Sequence, residues 1–428
     1  MKLFNEDIRF IKLIFSDIFG MMRGFYIPSN EFEDAKHGKG FDGSSIPGFA
    51  HIEDSDLVAI PDENSFYVFP YGEHKIAYVV CDIFKDGMPY EGDTRYVLKR
   101  AIEKARNKGY EVYAGVEMEY FYFKDSRAPL PLDNGNYFDS FEDFYGFVRK
   151  RTVVALEKMG ISIECDHHEV AISQHEIDLK YSNALKLADN IMITKFIIKE
   201  YARRNEIYAT FMPKPLNGQN GNGMHIHISL WKNDKNAFFD RDDKHGLSDI
   251  AKRFIAGILQ HINEITALLN QWINSYKRLI PGYEAPVYRV WGIGNRSVLI
   301  RVPKYGKEKT MRVESRSVDP AANQYLAIAS LIMAGLKGIE NEYELPEPYD
   351  KNVYKTGEKE RIMRLPENLE EALENLKKSE LAKEILGEHI YSRFIEIKEK
   401  EIEEYKKMND IKERNVTKYE IEKYYPIL

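Results

Sequence analysis

The stretch GNGMHIHISL, residues 221–230, constrains the fold of this chain more than any other segment. Its apolar and polar residues alternate strictly. Because successive side chains of a β-strand point to opposite faces of a sheet, the pattern predicts a strand with one core face. The other face carries polar side chains behind a glycine-rich turn, which raises the question of what they bind. The apolar set is Met224, Ile226, Ile228 and Leu230, and the polar set is His225, His227 and Ser229.

Three further segments predict strands or adjoining loops with charged side chains on one face. Each of these faces, taken alone, is most simply interpreted as exposed to solvent. Taken together they weaken that interpretation, because they occur within aromatic and aliphatic sequence, where an unpaired charge is costly. GVEMEYFYF carries Glu117 and Glu119, HHEVAISQHEID carries Glu169 and Glu176, and MRVESRS carries Arg312, Glu314 and Arg316.

A bound cation would compensate this charge. Five glutamates and one histidine are too rich in oxygen for a structural zinc site and suit Mg²⁺ or Mn²⁺ instead. Six protein ligands exceed what one Mg²⁺ usually takes, so two ions are the simpler arrangement. Two divalent cations beside arginines are the apparatus of phosphoryl transfer, since the metals bridge phosphates and the arginines neutralise developing charge. These residues predict an ATP-consuming enzyme.

The composition argues against several other kinds of partner and location. A net charge of −7 disfavours nucleic acid or an anionic membrane, which need a basic surface. Only two cysteines occur, Cys81 and Cys165, so the sequence predicts no disulfide framework and a cytoplasmic protein. The N-terminal stretch contains acidic residues unlike a signal peptide, and no apolar run is long enough to span a bilayer.

With 428 residues, the chain is expected to form two or three domains. Residues 1 to about 90 contain short predicted strands broken by turns. The turn-rich hinge KDGMPYEGD leads into TRYVLKRAIEKARNKG, a predicted amphipathic helix that ends at a glycine. Strands and helices then alternate to about residue 340 in an α+β pattern. The helical and highly charged C-terminal stretch is expected to form a solvated outer layer.

Seven motifs, in the order in which they occur, make the chain resemble the glutamine synthetases from about residue 10 to the C-terminus. They are FDGSSIPGF (41–49), EMEYFYF (117–123), HHEVAISQHEID (167–178), NGNGMHIHISL (220–230), NSYKRLIPGYEAP (274–286), NRSVLIRVP (295–303) and RVESRSVDPAANQYLA (312–327). The length is similar to that of the short prokaryotic class I type.

The resemblance implies an α+β fold in two parts. A small N-terminal β-grasp-like domain would span residues 1–92. A large catalytic domain would span residues 93–428, with an antiparallel sheet funnel flanked by helices and a helical C-terminal region. The resemblance also implies a homo-oligomer of two stacked hexameric rings, with each active site between neighbouring subunits.

Carried over position by position, the resemblance implies two metal sites. Glu119, Glu169 and Glu176 would hold one ion. Glu117, His225 and Glu314 would hold the other, which answers half of the question raised by the alternating strand. The ions would be Mg²⁺ or Mn²⁺, with two or more in each active site.

The same resemblance implies the substrate contacts. Glutamate would be bound by Glu119, the backbone at Asn220 and Gly221, Arg278, Arg296 and Arg316. ATP would be contacted by His227, Ser229, Arg296, Arg301 and Arg312, although His227 could equally be satisfied within the core. Ammonium would be bound by Asp42 and Ser45 of a neighbouring subunit, together with Tyr137, Glu169 and Glu284. The loop PGYEAP, which carries Glu284, has the composition of a lid. Catalytic roles would fall to Asp42, Glu284, Arg296 and Arg316.

The sequence departs from the family pattern in several places. Ile172 and Ser173 stand where most members have proline and glycine, so the geometry of that loop is open. The segment before the arginine–glutamate–arginine strand differs from the common sequence and leaves the adenine contacts unassigned. The N-terminal helix common in the family is short or absent. The context of Tyr354 differs from that of the tyrosine that some bacterial members adenylylate, so we predict no such modification there.

The resulting prediction is an enzyme that ligates ammonia to L-glutamate with ATP, through γ-glutamyl phosphate. A family member that ligates an amine or a polyamine to glutamate is the nearest alternative. It should lack or alter the carboxylates of the ammonium pocket, and this sequence keeps them. The second alternative is a non-catalytic, nitrogen-sensing assembly, which should have lost metal ligands or arginines.

Overall fold

The computed structural model describes residues 8–72, 74–304 and 307–428, apart from the side chain of Asp54. The predicted loss of the N-terminal helix concerns residues 1–7 and lies outside the described residues. Six described strands form the N-terminal sheet: β1 (Ile8–Ser16), β2 (Met22–Pro28), β3 (Lys39–Asp42), β4 (Asp56–Phe69), β5 (Lys75–Lys85) and β6 (Met88–Pro89). Their order is β2-β1-β5-β4-β3, with β6 beside β5. The pair β1–β5 is parallel and the other pairs are antiparallel. The short helix α1 (Phe32–Ala35) precedes β3.

The first strand of the N-terminal sheet, β1, buries side chains on both faces of the sheet. Leu13 and Phe15 point to one face and pack with Ile27 and Val79 in a small core. Ile14 points to the opposite face and joins the large core built by the rest of the chain. Strands covered on both sides have nearly continuous apolar sequence, which explains the unbroken Leu-Ile-Phe run of β1.

The second sheet carries the polar strands found in the sequence. Its nine described strands are β7 (Glu111–Phe123), β8 (Ile163–His168), β9 (Gln174–Asn183), β10 (Tyr208–Thr210), β11 (Met224–Lys232), β12 (Lys235–Asn236), β13 (Trp291–Ile293), β14 (Ile300–Val302) and β15 (Val313–Ser315). The order is β13-β14-β15-β11-β7-β9-β8, with β10 beside β7 and β12 beside β11. Its pairs are antiparallel except for β13–β14, which is parallel.

Helices cover this sheet and complete the large core. They are α2 (Thr94–Asn107), α3 (Gly146–Lys158), α4 (Ala184–Arg204), α5 (Asp249–Leu269), α6 (Ser275–Arg278), α7 (Gln324–Glu340), α8 (Val353–Thr356), α9 (Leu369–Lys377), α10 (Glu380–Lys406) and α11 (Lys418–Lys423). The predicted helix after the hinge is confirmed as α2. The Asp93 carboxylate caps its N-terminus by accepting from the Arg95 amide. Gly109, with φ +81°, follows its C-terminal end. Among the described residues, no helix combines the length and the apolar character needed to cross a bilayer.

A buried ion cluster joins the N-terminal sheet to the rest of the chain. Arg95 on α2 is 2% exposed and donates to both oxygens of Asp189 on α4, at 3.0 and 2.9 Å. The same guanidinium donates to Asp82 on β5 and to Asp62 on β4. One side chain therefore ties two strands of the first sheet to two helices. The exact domain boundary at residue 92 stays a prediction.

The C-terminal helices correct one expectation. The sequence predicted a solvated outer layer, but α10 buries Leu381 and Ile385 before its non-helical residue Gly387, and Phe394 after it. Its Lys398 is 0% exposed and is paired with Glu401 at 2.8 Å. Charged residues dominate the composition of this helix, so its buried apolar residues did not stand out in the sequence.

Candidate active site

Adjacent strands align functional side chains in two rows across one face of the second sheet. In the first row, the backbone register pairs Cys165 with Asp178, Asp178 with Glu117, and Glu117 with His225. In the second row it pairs His167 with Glu176 and Glu176 with Glu119. The apolar residues of the stretch 221–230 lie on the opposite face and are at most 1% exposed. The predicted strand and its two faces are therefore confirmed.

These rows line a cavity of about 1200 Å³. It contains most of the predicted site residues, namely Glu117, Glu119, Tyr137, Glu169, Glu176, Asn220, Gly221, His225, Arg278, Glu284, Arg296 and Arg316. A second cavity of about 310 Å³ shares Glu117 with the first and contains His227, Ser229 and Arg312. Of the predicted metal and nucleotide contacts, all but Glu314 and Arg301 line one of these two adjoining cavities.

Glu119, Glu169 and Glu176 form what we call the first carboxylate cluster. Glu119 Oε2 accepts from the Gly223 amide at 2.7 Å and from Gln174 Nε2 at 3.0 Å, which fixes its position. Burial, followed by the charge of Glu169, raises the pKa of Glu119 to about 8. Burial also raises the pKa of Glu169 to about 7 and holds that of Glu176 well above its ordinary value. Buried carboxylates with raised pKa values have too few positive partners, as expected for a cation site.

Glu117, His225, His227 and Glu314 form the second cluster. The Glu117 carboxylate accepts from His225 Nδ1 at 3.0 Å and from His227 Nε2 at 2.9 Å. Although burial alone would raise it, these hydrogen bonds hold the pKa of Glu117 far below its usual range. His227 was predicted as a nucleotide contact, and the structure brings it into reach of the same carboxylates as His225.

His225 lies between the two clusters. Its Nδ1 donates to Glu117, so its Nε2 keeps a lone pair, and this nitrogen lies 3.9 Å from Glu119 Oε1. Burial, followed by the charge of Arg316, lowers the pKa of His225 to about 4. The ring is therefore neutral at pH 7, which is the form that binds metals.

Glu314 is 0% exposed and is neutralised by two arginines. Arg301 Nη1 and Arg316 Nη1 each donate to one of its oxygens at 2.5 Å. Burial would raise the pKa of Glu314, but the charge of Arg316 outweighs it and holds the pKa at about 2. The structure thus places Arg301 beside a predicted metal ligand, at the end of the second cluster.

Arg278 lies beneath the glycine-rich turn. Its guanidinium donates to the carbonyls of Ser317 at 2.7 Å and Arg316 at 3.0 Å, and its side chain is 2% exposed. A Cβ atom on Gly223 would come within 2.8 Å of Arg278 Nη2, and one on Gly221 within 3.1 Å of Arg278 Cγ. The two glycines are therefore required for the backbone of the turn to approach this guanidinium.

The predicted lid lies against the turn. Asn220 Nδ2 donates to Glu284 Oε2 at 2.6 Å. The Lys214 ammonium lies 3.7 Å from the centre of the Tyr283 ring, a cation–π contact. Glu284 has φ +57°, a conformation that non-glycine residues rarely adopt. One hydrogen bond, one cation–π contact and a strained residue hold this segment over the cavity.

The unusual residue Ser173 has a clear structural role. It is 0% exposed and has φ +58°, a backbone conformation that favours glycine. Its Oγ accepts from the amides of Leu132 at 2.7 Å and Asp133 at 3.1 Å, and its own amide donates to Asp133 Oδ1. The serine thus anchors the segment that leads to Tyr137.

Two predicted residues lie apart from the others. Asp42 and Ser45 are exposed in the N-terminal sheet region and are not among the described residues that line the large cavity. Asp42 accepts from both Ser44 and Ser45, which lowers its pKa, so it stays charged. Within one chain, Asp42 and Ser45 do not reach the cavity. This is the arrangement expected if the two residues serve the site of a neighbouring subunit.

Sequence reasoning missed several residues of the cavity wall, among them Cys165, His167 and Asp178. The signal was present, because their spacing of two residues continues the pattern of Glu169 and Glu176 along β8 and β9. Burial, followed by the hydrogen bond to Asp178, raises the pKa of the Cys165 thiol to about 12. The free thiol is therefore protonated at neutral pH.

The site combines clusters of carboxylates and histidines with adjacent arginines and an adjoining second cavity. This combination defines the class of metal-dependent enzymes of phosphoryl transfer. Comparison with known proteins makes the class specific. The family model for the glutamine synthetase catalytic domain matches residues 91–424, and that for the glutamine synthetase β-grasp domain matches residues 7–86. The chain belongs to the glutamine synthetase family.

Individual relatives are similar to this chain over nearly its whole length. The glutamine synthetase of Thermotoga maritima is 46% identical over 98% of this chain and 97% of its own. A solved structure described as "GmaS/ADP complex-Conformation 1" has a TM-score of 0.89 at 30% identity and covers 97% of this chain and 96% of its own. The glutamine synthetase of Plasmodium falciparum has a TM-score of 0.85 at 28% identity, over 98% and 96%. The predicted α+β fold with an N-terminal β-grasp domain is confirmed.

Proposed function

We propose that this chain catalyses the ATP-dependent ligation of ammonia to L-glutamate. A γ-carboxylate oxygen of glutamate attacks the γ-phosphorus of ATP, ADP leaves, and γ-glutamyl phosphate forms. Ammonia then attacks the carbonyl carbon, phosphate leaves, and glutamine results. The observation that carries the proposal is the pair of carboxylate clusters on one sheet face, between a cavity for an amino acid and a cavity for a nucleotide.

The two clusters fit divalent cations. Glu119, Glu169 and Glu176 offer only oxygen atoms, the donor that Mg²⁺ prefers. Glu117, His225 and Glu314 add one neutral imidazole, which Mg²⁺ or Mn²⁺ accepts. We assign one ion to each set, and each bound cation would neutralise charge on the transferred phosphoryl group. The protein's own contribution is to hold the ligand atoms in place before the ions arrive.

ATP would span both cavities, with its phosphates between the clusters. His227, Ser229 and Arg312 line the second cavity, where Arg312 Nε donates to His227 Nδ1 at 3.2 Å. Arg316 and the exposed Arg296 face the large cavity, where the γ-phosphate would lie. Arginine suits this role because its charge and donors match phosphate oxygens.

Glutamate would lie under the glycine-rich turn. We assign its α-carboxylate to Arg278, whose guanidinium is aimed by two backbone carbonyls. Its amino group would face Glu119 and the backbone at Asn220 and Gly221. This orientation directs the γ-carboxylate toward Arg296 and Arg316, beside the proposed phosphate position.

Ammonium would bind among carboxylates at the edge of the cavity. Glu169 and Glu284 supply negative charge and Tyr137 supplies an oxygen, and a carboxylate takes the proton that ammonium must lose. The neighbouring subunit would add Asp42 and Ser45, since one chain keeps them away from the site. We therefore propose a homo-oligomer of two stacked hexameric rings in the cytoplasm.

The first experiment identifies the nucleophile. Glutamate-dependent ATP hydrolysis and amide formation are measured with ammonium, hydroxylamine, methylamine and putrescine. Ammonium and hydroxylamine should be used, and the two alkylamines should be poor substrates, because a pocket closed by carboxylates leaves little room for an alkyl chain. Efficient use of putrescine would favour the amine-ligating alternative. The absence of any glutamate-dependent hydrolysis would favour the non-catalytic one.

A second experiment tests the metal cluster. Glu314→Gln keeps the shape of a buried residue and removes its charge, so turnover should fall more than about 100-fold while the assembly persists. Glu308→Gln, which changes an exposed glutamate close by in sequence, is the matched control and should behave like the wild type. Near-normal turnover of Glu314→Gln at limiting Mg²⁺ would refute the assignment.

A third experiment tests the shared site. Asp42→Ala and Glu314→Ala subunits, each inactive alone, are mixed and reassembled. Some hybrid sites then contain an intact Asp42 and an intact Glu314, so activity should return. Rings shown by mass to be mixed, but without activity, would contradict the shared site.

A further inference from the structure

Three cavity residues have no role in the proposed ligation. Cys165 Sγ lies 2.8 Å from Asp178 Oδ2, and His167 is the next residue on the same face of β8. One donor atom from each of the three residues lies within 4.8 Å of the other two. All three line the large cavity and Cys165 is exposed, so a dissolved ion can reach them. We call this group the thiol site.

Two acceptor atoms of the thiol site, His167 Nε2 and Asp178 Oδ1, receive no hydrogen bond from another residue of the site. His167 Nδ1 donates to the His168 carbonyl at 3.1 Å, so His167 Nε2 carries a lone pair. That nitrogen faces the Glu176 carboxyl at 3.2 Å, a contact that is completed either by a proton on Glu176 or by a bound cation. Asp178 Oδ1 is buried and has no hydrogen-bond partner within the described parts of the chain. Both atoms are placed to bind a cation.

The donor set selects a different ion from that of the carboxylate clusters. Sulfur, imidazole nitrogen and carboxylate oxygen are the ligands of Zn²⁺, and an accessible zinc site has three protein ligands and a fourth position for water. Mg²⁺ prefers oxygen ligands in octahedral geometry and gains little from a thiolate. The sulfur of Cys165 therefore makes the site selective for thiophilic cations.

We propose that Cys165, His167 and Asp178 bind Zn²⁺, and that this binding inhibits ligation. On binding, the S–H bond breaks, the proton passes to solvent and a sulfur–metal bond forms, without oxidation or reduction. Inhibition follows because Asp178 is paired across the sheet with Glu117, and His167 contacts Glu176. A dication at the thiol site would therefore lie against both clusters and repel the cations that ligation needs. The inhibition rests on the proposed function, and the binding does not.

The binding experiment uses Cd²⁺, a thiophilic analogue of Zn²⁺ whose bond to a thiolate gives an ultraviolet charge-transfer band. The full-length protein is titrated in saturating Mg²⁺. The wild type should develop the band with one Cd²⁺ per chain, and Cys165→Ser should not. Cys81→Ala removes the other cysteine, which is buried, and should keep the band. A wild type without the band, or a Cys165→Ser variant that retains it, would overturn the proposal.

Another variant separates a three-residue site from a single reactive thiol. Asp178→Asn keeps the sulfur and the shape of the site but removes one charged ligand. It should keep the charge-transfer band and bind Cd²⁺ at least about tenfold more weakly. Unchanged affinity in this variant would show that the thiol acts alone and would refute the site.

The inhibition is tested separately with Zn²⁺ in saturating Mg²⁺. Glutamine formation by the wild type and by Cys81→Ala should fall as Zn²⁺ rises, and that of Cys165→Ser should resist. Equal inhibition of all three proteins would refute inhibition through the thiol site. A protein that shows the Cd²⁺ band but never ligates ammonia would refute the proposed function and leave the binding site standing.

Discussion

The raised pKa values of the first carboxylate cluster predict that divalent cations displace protons from the enzyme. The pKa of Glu119 is raised to about 8 and that of Glu169 to about 7, while that of Glu176 lies well above its ordinary value. At pH 7, about nine-tenths of Glu119 and about half of Glu169 therefore carry a proton. Metal ligands must be deprotonated, so saturation with Mg²⁺ should release about one and a half protons per chain from Glu119 and Glu169 together, and up to about one more from Glu176.

The raised pKa values of these carboxyls also determine how the stability of the metal-free protein depends on pH. Because these carboxyls have higher pKa values in the folded state than in the unfolded state, the folded protein binds more protons. Their contribution to the free energy of unfolding is therefore fully present below about pH 4.5 and is lost as pH rises through about 7 to 8. For Glu119, the shift from 4.5 to about 8 corresponds to a loss on the order of 5 kcal/mol. Bound Mg²⁺ should cancel this loss.

Two measurements test this reasoning. Proton release is obtained by calorimetric titration with Mg²⁺ in buffers of different ionisation enthalpy, and melting temperatures are recorded from about pH 5.5 to 8.5 with EDTA or with Mg²⁺. The difference between the two melting curves should widen as pH rises. Glu119→Gln, a neutral residue of the same shape, should release fewer protons and flatten the metal-free profile. Stoichiometric Mg²⁺ binding without proton release, or parallel melting profiles, would refute the assignment of these carboxyls.

Three further predictions concern stability and coupling. Asp189→Ala leaves the buried Arg95 partly unpaired and should lower the free energy of unfolding by about 3–5 kcal/mol; a melting temperature equal to that of the wild type would contradict the role of the ion cluster. Ser173→Ala leaves two backbone amides without their acceptor, so it should lower the free energy of unfolding by about 1–3 kcal/mol and raise the KM for ammonium. An unchanged KM would show that this loop does not contribute to ammonium binding. Glu284→Ala should let ATP hydrolysis exceed glutamine formation, because the intermediate loses its cover; strict one-to-one coupling would remove the lid role.

The local sequence determined the strands and their faces. Alternation with a period of two is a property of neighbouring residues, so the stretch 221–230 showed both its core face and its polar face before any partner strand was known. The family motifs added the catalytic domain and the likeness of Glu117, Glu119 and His225 to metal ligands. The same local pattern placed Cys165, His167 and Asp178 on the faces of Glu169 and Glu176, but only the fold showed that the three side chains lie close together.

The tertiary structure decided which faces meet. Strand register joins residues far apart in the chain, and only that register places Asp178 between Cys165 and Glu117. Burial also decided the charges, because a carboxyl such as Glu119 changes its pKa only when the surrounding chain removes water from it. The burial of Leu381, Ile385 and Phe394 on α10 was decided in the same way, since apolar side chains gain free energy only against a core assembled from distant segments. A sequence states which side chains share a face, and packing determines what that face touches and how far water is excluded from it.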